Sequence, residues 1–186
     1  SGLSLRGRLE VASSGGVPVL KLTSTSDGRM DPTKLVRADL GSGAGEHIVR
    51  ERDIVFRTRL EPNVAVYLND LPEPAVAIAP LIAIRITAAD VDSAYVAWYM
   101  NQPPAQSEIA RGARGSNMRM IPRDVVSDLP IALPDQETQR RIVAVADLAD
   151  RERLLRKEIA DKRHHATTTA LLARARGVAQ AVPSQT

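Results

Sequence analysis

Short runs of apolar residues, separated by turn residues, fill most of the first hundred positions of the chain. Runs of this length that are rich in Val, Ile and Leu are typical of β-strands. Residues 81–86 carry apolar side chains on both faces of the predicted strand, which indicates a central strand covered on each side. We therefore predict strands at residues 17–22, 54–57, 64–68, 75–79 and 81–86.

Helical signals follow this strand-rich part. Asp92 is a good N-cap residue, and Pro103 and Pro104 are expected to stop the helix that begins after it. Tyr95, Trp98 and Tyr99 on that helix are expected in the core. We predict short helical segments at residues 93–101, 105–111 and 122–127, with a flexible loop at residues 112–117.

A much longer helix is predicted after Pro134. Asp135 is a suitable N-cap, and residues 136–176 contain neither proline nor glycine. A helix of that length spans about 60 Å, which no small globular core can cover, so it requires a partner helix. Its apolar positions approach a 3–4 alternation, with Glu152 and Lys162 on the same stripe, which is typical of an imperfect coiled coil. The predicted partner-facing residues are Ile142, Val145, Leu148, Leu155 and Ile159.

The pattern as a whole predicts an α+β chain. Residues 1–133 form a domain with a small mixed β-sheet and short helices. Residues 134–178 form one long C-terminal α-helix, and residues 179–186 form a flexible tail.

Composition narrows the class of protein. Of 186 residues, 44% are hydrophobic and 25% are charged, which is ordinary for a globular protein. Cysteine is absent, which excludes disulfides and thiol catalysis. Since we find neither a long apolar run nor a signal peptide, we expect a soluble, cytoplasmic protein.

Charge is unevenly distributed, although the net charge is only +3. One group of arginines surrounds the strand predicted at residues 54–57, and a second lies between residues 111 and 123. Arginine suits phosphate and guanine edges because of its planar fork of N–H donors. A GC-rich genome explains the preference for arginine over lysine equally well.

Residues 131–134 (Ile-Ala-Leu-Pro) and 139–143 (Gln-Arg-Arg-Ile-Val) carry a family resemblance. They resemble the junction of type I restriction–modification specificity subunits, where a strand ending in Ile-Pro-Leu-Pro leads into a helix beginning Glu-Gln-x-x-Ile-Val. Thr138 stands where the family commonly has Glu. Three upstream segments resemble the family in the same order: residues 52–56, residues 82–86 followed by 91–96, and the loop at residues 110–117.

The resemblance implies a DNA target-recognition domain at residues 1–133, followed by one of the family's conserved helices. Specificity subunits of this family usually carry two such units, whose helices pair antiparallel as a spacer, whereas this chain has one. It is therefore expected to be either a half subunit that dimerises or the C-terminal recognition domain of a fused DNA methyltransferase. In a two-fold dimer the helix length would set the gap between half-sites.

The function that follows from the resemblance is sequence-specific recognition of double-stranded DNA, without catalysis in this chain. We expect a homodimer, formed through the C-terminal helix, that positions a partner methyltransferase of a type I-like restriction–modification or adenine-methyltransferase system. That partner would supply S-adenosylmethionine chemistry, and a restriction motor subunit is a further potential partner. The alternative from another class is a coiled-coil scaffold that does not bind DNA.

DNA contacts are assigned here from charge and loop position. Arginines of both groups are expected to clamp phosphates, and two polar loop residues are expected to reach base edges. The competing interpretation is that these are solvated surface charges. The predicted DNA-binding residues are Arg57, Arg59, Arg111, Arg114, Ser116, Asn117 and Arg119.

No catalytic or metal site is predicted. Residues 101–104 (Asn-Gln-Pro-Pro) resemble the Asn-Pro-Pro-aromatic loop of adenine methyltransferases, but Gln102 interrupts the spacing and Ala105 replaces the aromatic residue. His164 and His165 are adjacent on a helix and point about 100° apart, so they cannot chelate one metal. Residues 41–45 lack the Lys-Ser/Thr ending of a phosphate-binding loop and are expected to form a surface loop.

Overall fold

A computed structural model describes residues 2–3, 12, 15–26, 28–40, 42–59, 63–115 and 119–179. The chain divides into two compact units, Ser1–Val143 and Ala144–Thr186. Over the described residues, every helix is too short or too polar to cross a lipid bilayer.

Nine short strands lie in the described part of the first unit. Four of them form a mixed sheet with the order β4-β1-β8-β5, in which β1 runs parallel to β8 and the other neighbours are antiparallel. Strands β2 and β3 form a two-stranded ribbon, and the remaining three form an antiparallel sheet with the order β7-β6-β9. The strands are β1 (Val17–Leu20), β2 (Thr25–Ser26), β3 (Arg29–Met30), β4 (Val36–Ala38), β5 (Ile48–Val49), β6 (Ile54–Arg57), β7 (Ala65–Tyr67), β8 (Ala75–Ala77) and β9 (Leu81–Ile84).

The three-stranded sheet is covered by core residues on both faces. Ile54 and Phe56 of β6 belong to a core that includes helix residues, whereas Val55 between them belongs to a second core shared with β1, β5 and β8. Adjacent residues of a strand point to opposite faces, so a continuous apolar run follows from burial on both sides. Ile54, Val55 and Phe56 are all completely buried.

The prediction that residues 81–86 form a central strand of a sheet was wrong. Strand β9 lies at an edge of the three-stranded sheet, and β6 occupies the centre. Leu81 packs in one core and Ile82 in the other, so the apolar pattern correctly reported burial on both faces. Burial above and below a strand does not determine how many strands flank it.

Four α-helices follow the sheets: α1 (Ser93–Met100), α2 (Pro103–Gly112), α3 (Arg123–Ser127) and α4 (Gln136–Ala179). The predicted N-cap of α1 is confirmed, because the Asp92 carboxylate accepts from the backbone N–H groups of Ala94 and Tyr95. Tyr95 is buried, as predicted, while Trp98 and Tyr99 are partly exposed. The fold class is the α+β class predicted from the sequence.

Two local predictions differ from the structure. Pro103 and Pro104 were expected only to stop α1, but they form the first turn of α2. Proline is tolerated there because the backbone N–H groups of a helix's first turn have no partner within the helix. Residues 131–134, where the family resemblance implies the end of a strand, belong to no helix or strand in the described part of the chain. Asn101, between α1 and α2, instead fixes the nearby β7: its amide accepts from the Ala65 N–H at 2.9 Å and donates to the Ala65 carbonyl at 2.8 Å.

The start of α4 agrees with the sequence-based expectation. The Asp135 carboxylate accepts from the Thr138 backbone N–H at 3.0 Å and from the Thr138 hydroxyl at 2.7 Å. These hydrogen bonds lower the pKa of Asp135 below its ordinary value. Thr138, which departs from the family pattern, therefore takes part in the cap.

Gln139 joins the first turn of α4 to the loop before α1. It is 1% exposed, and its side-chain oxygen accepts from the Asp92 backbone N–H at 2.8 Å. Its amide nitrogen donates to the carbonyls of Asp90 at 3.1 Å and Pro134 at 2.8 Å. A buried amide with all of these partners fixes the start of the helix to the first unit.

The second unit contains the rest of α4, and none of its residues 144–176 is buried. Val145, Leu148, Leu155 and Ile159 are between 50% and 67% exposed, whereas Ile142, in the first unit, is half-buried. Leu171 and Leu172 are also more than half exposed. The predicted partner-facing stripe is thus accessible from Val145 onwards.

Candidate nucleic-acid interface

A narrow ladder beyond the end of β6 brings two of the predicted arginines together. Arg59 forms an antiparallel bridge with Met120, and Met120 forms a second one with Arg114. Arg114 and Met120 exchange both backbone hydrogen bonds at 2.9 Å, and the Ile121 N–H donates to the Thr58 carbonyl at 2.9 Å. These hydrogen bonds therefore hold Arg114 and Met120 together and hold Ile121 beside Thr58, at the end of the three-stranded sheet.

The side chains of this ladder share one face, because directly paired residues of antiparallel strands point the same way. The Nε and Nη2 atoms of Arg59 lie 3.4 and 3.5 Å from the Met120 sulfur. Arg59, Arg114 and Met120 are all exposed. We call this surface, formed by Arg59, Met120 and Arg114, the arginine ladder.

Two of the arginines near the ladder form exposed ion pairs. Arg114 lies 3.0 Å from the Asp124 carboxylate at the start of α3, and Arg111 pairs with Glu108 one turn earlier on α2. Exposed pairs of this kind contribute about 0–1 kcal/mol. The energetic cost of exchanging such a carboxylate for a phosphate oxygen is therefore small.

Arg119 and Arg57 occupy different environments. Arg119 is exposed and donates from Nη2 to the Ala110 carbonyl at 3.2 Å, in the last turn of α2, where carbonyls lack helical partners. Arg57 is half-buried, and its Nε is buried without a hydrogen bond among the described residues. Ser116 and Asn117 lie outside the described residues.

A second surface that carries arginines lies in the same unit and includes residues that sequence reasoning did not select. It is an open cleft of about 430 Å³ lined by four arginines, Arg50, Arg52, Arg85 and Arg140, and by three acidic residues, Glu51, Asp53 and Asp92. Arg85 and Arg140 are far apart in sequence from each other and from the first pair. Arg85 is an isolated arginine in its strand, and Arg140 is followed by Arg141 in the long helix, so neither belongs to the two arginine groups that the sequence marks.

Arg85 is oriented by the buried carboxylate of Asp53. Its Nε and Nη2 lie 2.7 and 2.6 Å from the two carboxylate oxygens, and the pairing raises the pKa of Arg85. The Arg50 backbone N–H also donates to Asp53 at 2.9 Å. The Arg85 side chain remains 52% exposed, so it presents a fixed cation to the cleft.

Among the described residues, no group of three or more His, Asp or Glu side chains is close enough together to hold a metal ion. The chemistry that both arginine-bearing surfaces offer is the binding of anions such as phosphate.

Comparison with protein-family models finds no matching family, and comparison with curated proteins finds no match. Solved structures do match. An HsdS subunit from Thermoanaerobacter tengcongensis superposes with a TM-score of 0.57 and 20% sequence identity over 90% of this chain. A chain from a study of complex assembly and conformational transition in the type I R-M system gives a TM-score of 0.53 and 21% identity over 88% of this chain.

The chain has an HsdS-like fold. The fold resemblance predicted from the junction motif is therefore confirmed. At this sequence identity the likeness concerns the fold alone. The chain also spans less than half of either structure, 43% of the HsdS subunit and 37% of the other chain. Within this HsdS-like fold, the first unit carries both the arginine ladder and the arginine-lined cleft.

Proposed function

We propose that this chain is a sequence-specific double-stranded DNA recognition module of a type I-like restriction–modification or adenine-methyltransferase system. It has no catalytic role of its own. The observation that carries the proposal is the arginine ladder within an HsdS-like fold, which presents two exposed arginine side chains on one face. Phosphate contacts of this kind position a protein on a duplex, and neighbouring polar residues then read base edges.

In the proposed assembly this chain works together with other subunits. A DNA methyltransferase subunit with bound S-adenosylmethionine would carry out base modification, and this chain would position it. Two copies, associated through α4, would present two recognition units to a split site. A restriction motor subunit is a further partner in systems that also cleave DNA. Such an assembly works in the cytoplasm, where its DNA target lies.

Duplex selection tests the recognition claim directly. The full chain, alone and with its methyltransferase subunit, is incubated with a library of randomised duplexes, and the retained DNA is sequenced. We expect enrichment of one defined sequence motif. A retained pool as random as the input, with the partner present, would refute sequence-specific recognition. It would favour the scaffold alternative if the chain also fails to shift any duplex.

The arginine ladder is tested by salt titration of duplex affinity. Each phosphate contact that is lost lowers the slope of log affinity against log salt by about one. We expect Arg59→Ala and Arg114→Ala each to reduce this slope by about one and to weaken binding of all duplexes similarly. Arg29→Ala is the matched control, because Arg29 is an exposed arginine in the β2–β3 ribbon, outside both arginine-bearing surfaces. Unchanged slopes for both ladder variants would exclude this surface as a phosphate contact.

A further inference from the structure

The arginine-lined cleft lies at the opposite end of β6 from the arginine ladder. Residues 50–53 lead into β6, and Arg85 follows β9, which runs antiparallel to β6. The ladder begins at Arg59, beyond the other end of β6. Six residues of extended chain, from Asp53 to Arg59, span about 20 Å. The cleft is therefore a separate surface, and all of its lining residues belong to the first unit.

Two of the three carboxylates in the cleft are already engaged. Asp53 holds Arg85 through both of its oxygens. Asp92 accepts from two backbone N–H groups in the first turn of α1, at 2.8 and 3.3 Å, so its charge serves that helix. Glu51 is the third acid and is exposed. The arginines that stand against it, all exposed, are Arg50, Arg52 and Arg140. An anion that enters the cleft therefore meets an excess of positive charge.

Arg85 keeps hydrogen-bond donors for a second anion. Its bonds to Asp53 use Nε and Nη2, and Nη2 also lies 3.5 Å from the Ile48 carbonyl oxygen. Among the described residues no acceptor bonds to Nη1, which carries two further N–H donors. A guanidinium held in this way loses little side-chain freedom when it binds a ligand. Arg85 is thus a preorganised anion donor.

Arg52 occupies a backbone conformation that favours glycine. Its φ is 71°, in the left-handed region that residues with a side chain rarely adopt. The turn around it is closed by the Asp53 N–H, which donates to the Arg50 carbonyl at 3.1 Å, and the Arg52 N–H donates to the Leu68 carbonyl at 2.7 Å. The turn itself gives no reason for an arginine at this position. The reason therefore lies in the exposed side chain, which lines the cleft.

Arg140 is brought to the cleft by the start of α4. The Gln136 side chain lines the cleft and donates to the Ala89 carbonyl at 3.0 Å. Arg140 follows Gln136 by one helical turn and therefore lies on the same side of α4. The buried hydrogen bonds of Gln139, the residue before it, hold this turn against the first unit. The position of Arg140 beside the cleft is thus fixed by the fold.

The arrangement suits a tetrahedral anion. The arginines come from three separate segments of the chain, and the hydroxyl-bearing residues Thr87 and Ser93 also line the cleft. Phosphate oxygens can accept from several directions at once, whereas a carboxylate accepts within one plane. The volume of about 430 Å³ is at the lower end of the range for small-ligand sites, roughly 300–1,000 Å³. It leaves room for a sugar attached to the phosphate.

We propose that this cleft binds a phosphate group, with Arg85 as the preorganised donor and Arg52 and Arg140 as cations that approach from two other segments. The site is additional to the arginine ladder and does not rest on the proposed function. The backbone of a duplex and a free nucleotide present the same phosphate oxygens, so the chemistry is shared and the experiment distinguishes the two sources.

Calorimetric titration of the full chain with inorganic phosphate tests the site, with ionic strength held constant by chloride. We expect Arg52→Gly and Arg140→Ala each to weaken phosphate binding on the order of tenfold, because each removes one charge-assisted hydrogen bond. Glu51→Gln should strengthen binding, since it removes the exposed negative charge. Arg29→Ala is the matched control and should leave binding unchanged, because Arg29 is exposed and lies outside the cleft.

The two arginine variants are chosen so that lost binding cannot be attributed to unfolding. Glycine adopts the backbone conformation of Arg52 more readily than arginine does, and Arg140 is exposed on a helix, where alanine is well tolerated. We therefore expect neither variant to lower Tm. Phosphate binding that persists unchanged in Arg52→Gly/Arg140→Ala, or a wild-type chain that binds phosphate no better than chloride, would overturn the proposal.

The source of the phosphate is identified by repeating the comparison with a duplex and with a nucleoside monophosphate. If the cleft binds a DNA backbone, each variant lowers the salt slope of duplex affinity by about one. An unchanged slope assigns the site to a free phosphate compound, and the nucleoside monophosphate should then bind more tightly than inorganic phosphate because it fills more of the cleft. The phosphate titration contains no DNA, so its failure removes the cleft site alone. A random pool from duplex selection, with phosphate binding intact, removes only the recognition function.

Discussion

The two units of this chain use similar apolar residues in opposite ways. In the first unit, Phe56 and Leu68 are completely buried between packed layers. In the second, Val145 and Leu148 are 67% and 65% exposed on a helix with no buried side chain at residues 144–176. Hydrophobic periodicity therefore tells us which face of an element is apolar, but the covering partner must be found separately.

The same comparison separates folding from assembly. Burial in the first unit contributes to its own stability, at roughly 25 cal/mol for each Å² of apolar surface. The exposed side chains of α4 contribute little until another surface covers them. Substitutions of equal size should thus change unfolding in one unit and association in the other.

The largest expected effect comes from removing a large side chain from the core. Phe56→Ala should lower the free energy of unfolding of the first unit by about 3–5 kcal/mol, because it loses buried surface and leaves a cavity. Denaturant titration monitored by Trp98, the only tryptophan, measures unfolding of this unit. Leu155→Ala on the exposed stripe is the control and should change this value by less than about 0.5 kcal/mol. If both variants lost the same free energy of unfolding, the exposed side chains of α4 would contribute to stability as much as the core of the first unit does.

The next effect concerns the buried amide at the start of α4. Gln139→Ala removes three hydrogen bonds and leaves the Asp92 N–H and two carbonyls without that partner, so we expect a loss of about 2–3 kcal/mol. Gln136→Ala is the matched control, since Gln136 is partly exposed and donates one hydrogen bond, to the Ala89 carbonyl. The same denaturant titration compares them. If the Gln139 variant were no less stable than the Gln136 variant, the hydrogen bonds of Gln139 would contribute nothing to the free energy of unfolding.

Gln139 also illustrates what the sequence could and could not reveal. The junction motif marked the residue, and Asp135 with the proline-free run correctly located the start of α4. The burial of Gln139 depends on the loop before α1, more than forty residues earlier, which no local pattern indicates. The arginine-lined cleft escaped prediction for the same reason, because Arg85 and Arg140 meet only after folding. Lateral strand order was missed because Leu81 and Ile82 report which faces are covered and carry no information about neighbours in the sheet.

A smaller effect is expected where a buried charge has a partly exposed partner. Arg85→Ala leaves the carboxylate of Asp53, whose side chain is 5% exposed, with fewer donors. We expect a loss of about 1–2 kcal/mol in the unfolding of the first unit, reduced by the solvent around the half-exposed arginine. Arg140→Ala, on the same cleft but exposed, should leave stability within about 0.5 kcal/mol of the wild-type chain. If both variants lost the same free energy of unfolding, the ion pair between Arg85 and Asp53 would not contribute specifically to stability.

The smallest effect lies at the cap of α4, where the two units share one helix. Asp135→Ala removes the carboxylate that accepts from Thr138 and should lower Tm, followed by circular dichroism at 222 nm, by about 2–4 °C. Because folding lowers the pKa of Asp135, the ionised cap stabilises the folded chain above the unfolded-state pKa, and this contribution disappears as pH falls through the folded-state pKa. The difference in Tm between wild type and variant should thus be constant at neutral pH and shrink below about pH 4. Asp161→Ala, within the same helix, should not lower Tm, since alanine is the better helix former. If the wild-type advantage instead persisted unchanged in acid, Asp135 would not be acting as an ionised cap.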